Sequence, residues 1–128
     1  VVGYSADAFG AAAIEAAVAE ARLRDTSLLV INATSGESHV DARFAKAGQI
    51  DGVEVRLRDS GVAFEVRQPV GVDVAEALLG AMDQAEAELL VIGVRHRSPV
   101  GKLLLGSVSQ RLLLECPKPL LAVKPLRH

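Results

Sequence analysis

The sequence has no tryptophan, one tyrosine and three phenylalanines among its 128 residues. Since 50% of the residues are nevertheless apolar, the core must be built almost entirely from Ala, Val, Leu and Ile. Such a core suits buried parallel strands and closely packed, alanine-faced helices. The shortage of aromatic side chains also argues against a protein that binds single-stranded nucleic acid, because such proteins stack bases on aromatic residues set among basic ones.

Other features that are scarce in the sequence exclude further classes of protein. The single cysteine, Cys116, excludes an internal disulfide and a thiolate metal site drawn from this chain, and it favours a reduced, cytoplasmic setting. No run of about 18 apolar residues is present, so the sequence predicts no membrane-spanning helix. The 14 basic and 16 acidic residues give a net charge of −2, which argues against nucleic acid or a membrane surface as a partner.

Strand-like and helix-like segments alternate along the whole chain. Continuous apolar runs typical of buried strands lie at 27–33 and 88–93. Weaker strand patterns and helical patterns lie between and around them, with strands expected at 1–4, 62–68 and 119–125 and helices at 5–25, 49–59, 72–85 and 107–115. Asp7 can cap the first helix and Gly61 can end the second. The order predicts a single domain over residues 1–128 of the α/β class, a five-stranded parallel sheet doubly wound with helices on both faces.

In such sheets ligands bind at the carboxyl ends of the strands, where the loop at 93–106 carries the most chemistry. Gly93 ends an apolar strand, and Gly106 and Ser107 open a helix whose free N–H groups can bind an anion. Basic side chains and hydroxyls supply further groups for a phosphate. The candidate residues in this stretch are Gly93, Arg95, His96, Gly101, Lys102, Gly106, Ser107, Val108 and Ser109.

A purely structural interpretation of the same stretch stays open. Ser107 and Gln110 fit a capping box, in which the serine caps the helix and the glutamine bonds back to it, with no ligand needed. The Gly101-Lys102 pair does not form a P-loop, because position 96 is His instead of Gly and position 103 is Leu instead of Ser or Thr.

The length, the strand order and the stretch GVRHRSPVGKLLLGSVSQRLLLECPKPLLAVKP (93–125) resemble the universal stress protein family. This resemblance implies a flavodoxin-like fold, akin to that of the adenine-nucleotide alpha-hydrolases. It also implies a motif G-x2-G-x9-G-[ST] in the members that bind ATP. Here Gly93 is the first glycine, Gly106 and Ser107 close the motif, and His96 stands at the second glycine.

The resemblance extends to three other loops. Ser5 stands where ATP-binding members end the first strand with Asp, and Ile31 falls where the second strand contacts adenine through backbone groups. Val70 and Gly71 match a turn near the base and the ribose. The implied ligand is ATP, or ADP or AMP, with Mg²⁺ as a companion of the phosphates.

Two functions therefore compete. The first is a small regulatory protein of the stress response that binds an adenine nucleotide, with no catalytic residue identified and at most slow ATP hydrolysis. The second is a homodimeric interaction module that binds no nucleotide, which the substitutions at Ser5 and His96 favour. The resemblance implies a homodimer in either case, formed through the apolar last strand, Pro119 to Val123, because pairing would cover an exposed sheet edge. A true enzyme on this fold has the least support.

Overall fold

The computed structural model describes residues 1–34, 36, 44–95 and 105–126. Strands and helices alternate as the sequence predicts, mostly with slightly different bounds: β1 Val2–Gly3, α1 Ala8–Arg24, β2 Leu28–Ile31, α2 Ala47–Ser60, β3 Phe64–Arg67, α3 Val74–Met82, β4 Leu90–Gly93, α4 Ser107–Glu115 and β5 Leu120–Val123. Helix α2 begins two residues earlier than predicted because the Gln49 side chain accepts the Lys46 N–H at 2.7 Å and stabilises the first turn.

All five strands are parallel and lie in the order β3-β2-β1-β4-β5. The chain therefore builds outward from β1 to β3, crosses back, and continues from β4 to β5 on the other side. The strand order reverses between β1 and β4, and this is where ligands bind in open α/β sheets. The predicted five-stranded, doubly wound architecture is confirmed.

Helices cover both faces of the sheet, and the two buried clusters are separate. Helices α1 and α2 pack on one face through residues such as Val18 and Leu57, and α3 and α4 pack on the other through Leu78 and Leu112. Among the described residues every buried apolar side chain is Ala, Val, Leu, Ile or Met, as the composition requires. In the same part of the chain, no helix is both long and apolar enough to cross a membrane.

Two predicted helix ends are confirmed. Asp7 caps α1 by accepting the Gly10 N–H at 3.0 Å. Gly61 ends α2 in the left-handed conformation, with a φ of 76° that favours glycine.

Candidate functional site

A cleft of about 400 Å³ opens at the carboxyl ends of β1 and β4, where the strand order reverses. Seven of the residues singled out in the sequence line it: Ser5, Ile31, Gly93, Arg95, Gly106, Val108 and Ser109. Ser107 is the first residue of α4, beside that wall. Val70 and Gly71 lie outside the lining, and His96, Gly101 and Lys102 fall outside the described residues.

The start of α4 forms one wall of the cleft and has no side-chain cap. Gly106 occupies the capping position, with φ −66° and ψ 161°, and its carbonyl oxygen accepts the Gln110 N–H at 2.9 Å. The capping box of the alternative, structural interpretation is therefore not formed, because the helix begins one residue too early for Ser107 to cap it. By contrast, α1 and α3 are capped by Asp7 and Asp73. The first-turn N–H groups of α4 remain available to an anion in the cleft.

The two motif glycines serve different purposes. A Cβ at Gly93 would overlap the carbonyl group of Phe9, so the absence of a side chain lets α1 pack against β4. A Cβ at Gly106 would meet no atom of the described residues within 4 Å, and its φ of −66° suits any residue. Gly93 is thus required by the fold, whereas neither the backbone angles nor a packing contact of the described residues requires glycine at Gly106.

Ser5 and Asp7 act together at the end of β1. The Ser5 hydroxyl donates to Oδ1 of Asp7 at 2.7 Å, and the same oxygen accepts the Gly10 N–H. The serine therefore supports the cap of α1, and the carboxylate at the cleft comes from Asp7. Burial, and to a smaller extent the Asp7 charge, raises the pKa of Tyr4, so the only phenol of the chain stays protonated at neutral pH beside the cleft.

Asn32 is a cleft residue that the sequence analysis missed. It is 2% exposed, its Nδ2 donates to the Tyr4 carbonyl oxygen at 2.8 Å, and its Oδ1 accepts the Ala45 N–H at 2.7 Å and Nε2 of Gln68 at 3.0 Å. The signal was present, because a lone amide within the apolar run 27–33 must find hydrogen-bond partners when it is buried.

The sequence led us to expect that backbone groups of Ile31, at the end of β2, would contact adenine, but the structure points to a different residue. The Ile31 carbonyl oxygen already accepts the Tyr4 N–H at 2.9 Å. Ala33 lies two residues further on and lines the cleft, and among the described residues its N–H and C=O have no hydrogen-bond partner. The backbone donor and acceptor available to a ligand are therefore those of Ala33.

Val70 and Gly71 form a turn next to the cleft. The Gly71 N–H donates to the Thr34 carbonyl oxygen at 2.9 Å, and its φ of 78° favours glycine. Val70 is 64% exposed. This turn extends the β2–β3 edge beyond the last regular strand pair.

A second depression, of about 440 Å³, lies at the opposite end of the sheet. Arg24 and Arg67 on its rim pair with Glu20 and Glu65, at 3.2 and 3.1 Å. Within the described residues, no three His, Cys, Asp or Glu side chains are grouped to hold a metal ion. The cleft at the switch point is therefore the stronger candidate site.

These features define a class of protein: a doubly wound parallel α/β protein with a cleft at its switch point and an uncapped helix start facing that cleft. A model of the "Universal stress protein family" matches residues 1–124. A universal stress protein of Mycolicibacterium smegmatis is 71% identical over 125 residues, which cover 98% of this chain and 96% of that protein. The chain belongs to the universal stress protein family.

Solved structures share this fold. A universal stress protein from Archaeoglobus fulgidus is 28% identical, with a TM-score of 0.78 and coverage of 96% of both chains. A universal stress protein structure from the same organism, in complex with dAMP, is 22% identical, with a TM-score of 0.68 and coverage of 96% of this chain and 94% of that one. The flavodoxin-like fold predicted from the sequence is confirmed.

Proposed function

We propose that this chain, folded as one cytoplasmic domain, binds an adenine nucleotide in the cleft, with the phosphates at the start of α4 and the base at the end of β2. The observation that carries the proposal is the uncapped first turn of α4, which opens on the cleft that Arg95 also lines. A related universal stress protein structure contains dAMP, which supports an adenine nucleotide as the class of ligand.

The charges of the described residues favour this orientation. The helix dipole of α4 and the Arg95 guanidinium attract phosphate, whereas the Asp7 carboxylate repels it. We therefore place the phosphates toward α4 and away from Asp7. Mg²⁺ would be held mainly by the phosphates, because the described residues offer no cluster of metal ligands. The ligand we propose is ATP, or ADP or AMP.

We expect the nucleotide to act as a regulatory ligand. The Ser5 hydroxyl donates to Oδ1 of Asp7 within the cap of α1, and in the proposed orientation the Asp7 carboxylate lies away from the phosphates, so neither group is placed to activate water for their hydrolysis. Hydrolysis, if it occurs, would be slow. A ligand that binds only the folded chain stabilises it, and this stabilisation can be transmitted to a partner surface.

Titration of ATP, ADP and AMP, with and without Mg²⁺, tests the proposal. Calorimetry reports affinity directly, and thermal unfolding should show stabilisation of about 2.7 kcal/mol at a ligand concentration about 100 times the dissociation constant. Inosine and cytidine nucleotides serve as base controls. If none of the three adenine nucleotides binds or stabilises the chain at millimolar concentration, the proposal is wrong.

The interaction-module function is supported by the edge strand β5. The other edge strand, β3, carries the exposed Glu65–Arg67 ion pair, which discourages pairing with another chain. Strand β5 is apolar along Leu120–Val123, and Leu126 beyond it is 85% exposed. We propose that two copies pair through β5, whether or not nucleotide is bound.

Ala122→Pro should convert this dimer to a monomer. Strand β5 bonds to β4 through Pro119 and Val123, at 3.1 and 2.7 Å, so alternation directs the Ala122 N–H toward the free edge. Proline removes that donor without removing a β4–β5 bond, and edge strands tolerate it. Light scattering at micromolar concentration gives the mass. Ala122→Thr keeps the N–H and should stay dimeric, whereas a monomeric wild-type chain would contradict the proposal.

A further inference from the structure

The β1–β2 ladder ends in an unusual way at the cleft. Its last backbone bond runs from the Tyr4 N–H to the Ile31 carbonyl oxygen, at 2.9 Å. In a parallel ladder the next bond would run from the Ala33 N–H to the Tyr4 carbonyl oxygen. That oxygen instead accepts Nδ2 of Asn32 at 2.8 Å. A side chain has taken the place of the next backbone donor.

The orientation of the Asn32 amide is fixed by its partners. Two N–H donors, from Ala45 and Gln68, point at the same amide oxygen. A flipped amide would place an NH₂ group against both donors, so the NH₂ must face Tyr4. Nε2 of Gln68 also donates to the Ala45 carbonyl oxygen at 3.0 Å, which ties the chain just before α2 to the end of β3.

The consequence lies at Ala33. The N–H and C=O of one strand residue point to the same side, so both groups of Ala33 face the position that the ladder would have occupied. They lie in the cleft wall and, in the described part of the chain, no other group uses them. A donor beside an acceptor complements the edge of adenine, which offers a ring nitrogen and an amino group.

We infer that Asn32 is a positioning residue for base recognition: by occupying the Tyr4 carbonyl it keeps the Ala33 N–H and C=O open to the nucleobase, and Gln68 holds it in that orientation. This inference rests on the proposed nucleotide function. It concerns only the base end of the cleft, whereas Arg95 and the start of α4 concern the phosphate end.

Gln68→Leu is the main test, because Gln68 is only partly buried and the variant should fold. It removes one of the two donors to the Asn32 amide oxygen found among the described residues, so the amide can release Tyr4 and the Ala33 N–H can close the ladder. The affinities for AMP and ATP should fall by the same factor, about threefold to tenfold, which is the range that one hydrogen bond contributes. Binding of inorganic tripolyphosphate, which has no base, should not change. Asn32→Ala should show a larger loss in the same pattern.

Gln49→Leu is the matched control. Gln49 is also a glutamine whose side chain bonds to the start of α2, through the Lys46 N–H, but this bond does not involve Asn32. Its loss should lower stability without lowering nucleotide affinity. Arg95→Ala is a control at the phosphate end of the cleft, and it should lower the affinity for ATP more than the affinity for AMP.

Amide hydrogen exchange supplies a readout that loss of stability alone would not give. In Gln68→Leu without ligand, the Ala33 amide should exchange more slowly than in wild type, because it gains the Tyr4 carbonyl as a partner, while the Ala45 amide should exchange faster. A merely structural role for Gln68 would speed both.

The outcomes separate the two proposals. Wild type that binds no adenine nucleotide overturns the proposed function and this inference with it. Wild type that binds, together with a Gln68→Leu variant of unchanged affinity or a Gln49→Leu variant of equal loss, overturns the inference alone. A loss seen for ATP and not for AMP also overturns it, because the effect would then lie at the phosphates.

Discussion

Gly93→Ala should lower the free energy of unfolding by about 3 kcal/mol, the upper part of the usual range for overpacking. The added Cβ would overlap the Phe9 carbonyl group, which is backbone and cannot rotate away, so α1 must shift from β4. For a chain of 128 residues this corresponds to a fall in Tm of roughly 10 °C. Thermal or urea unfolding of the ligand-free protein measures it.

Gly106→Ala is the control for that result. It makes the same chemical change at the other motif glycine, where a Cβ would meet no atom within 4 Å in the part of the chain that the structure describes. Alanine is a poorer N-cap than glycine, so the unfolding free energy of this variant should fall by only about 0.5 to 1 kcal/mol, well short of the loss expected at Gly93. Equal stability of the two variants would show that Gly93 is not needed for α1 packing.

The alternation of elements could be predicted because its signals are local. The buried strands β2 and β4 lie within continuous apolar runs, and Asp7 and Gly61 mark helix ends by the conformations their residue types favour. Once the sheet is known to be parallel, the strand order also tells which loops lie at its carboxyl end. The position of the cleft and several of its residues could therefore be expected from the sequence.

The detailed contacts of the cleft could not be predicted from the sequence, because they form between residues that are distant along the chain. The side-chain partners of Asn32 in the described part of the chain include groups 28, 13 and 36 positions away, so no local pattern indicates that its amide ends the ladder. Gly93 suggested close approach of a ligand, whereas its Cβ position is filled by Phe9 of α1. At α4, glycine and serine are both common caps, and the sequence alone could not decide which of the two neighbours starts the helix.

Gly106→Asp should separate stability from binding, with opposite effects on the two. Asp73 already caps α3 with φ −69° and ψ 135°, accepting the Glu76 N–H, and Gly106 has a similar φ of −66°. An aspartate there should cap α4 in the same way and raise stability by about 0.5 to 1 kcal/mol, through the cap and the helix dipole.

The same carboxylate should nearly abolish nucleotide binding. It would occupy the first-turn N–H groups that we assign to the phosphates and place a negative charge against them. A like charge about 4 Å away costs about 4 kcal/mol at an effective dielectric constant near 20, so ATP affinity should fall at least about 100-fold. Adenosine, which has no phosphate, should bind as it does to wild type, and calorimetry with both ligands measures the difference. A variant that is more stable yet binds ATP normally would place the phosphates away from α4, whereas equal losses for ATP and adenosine would mean that the aspartate disturbs the whole cleft.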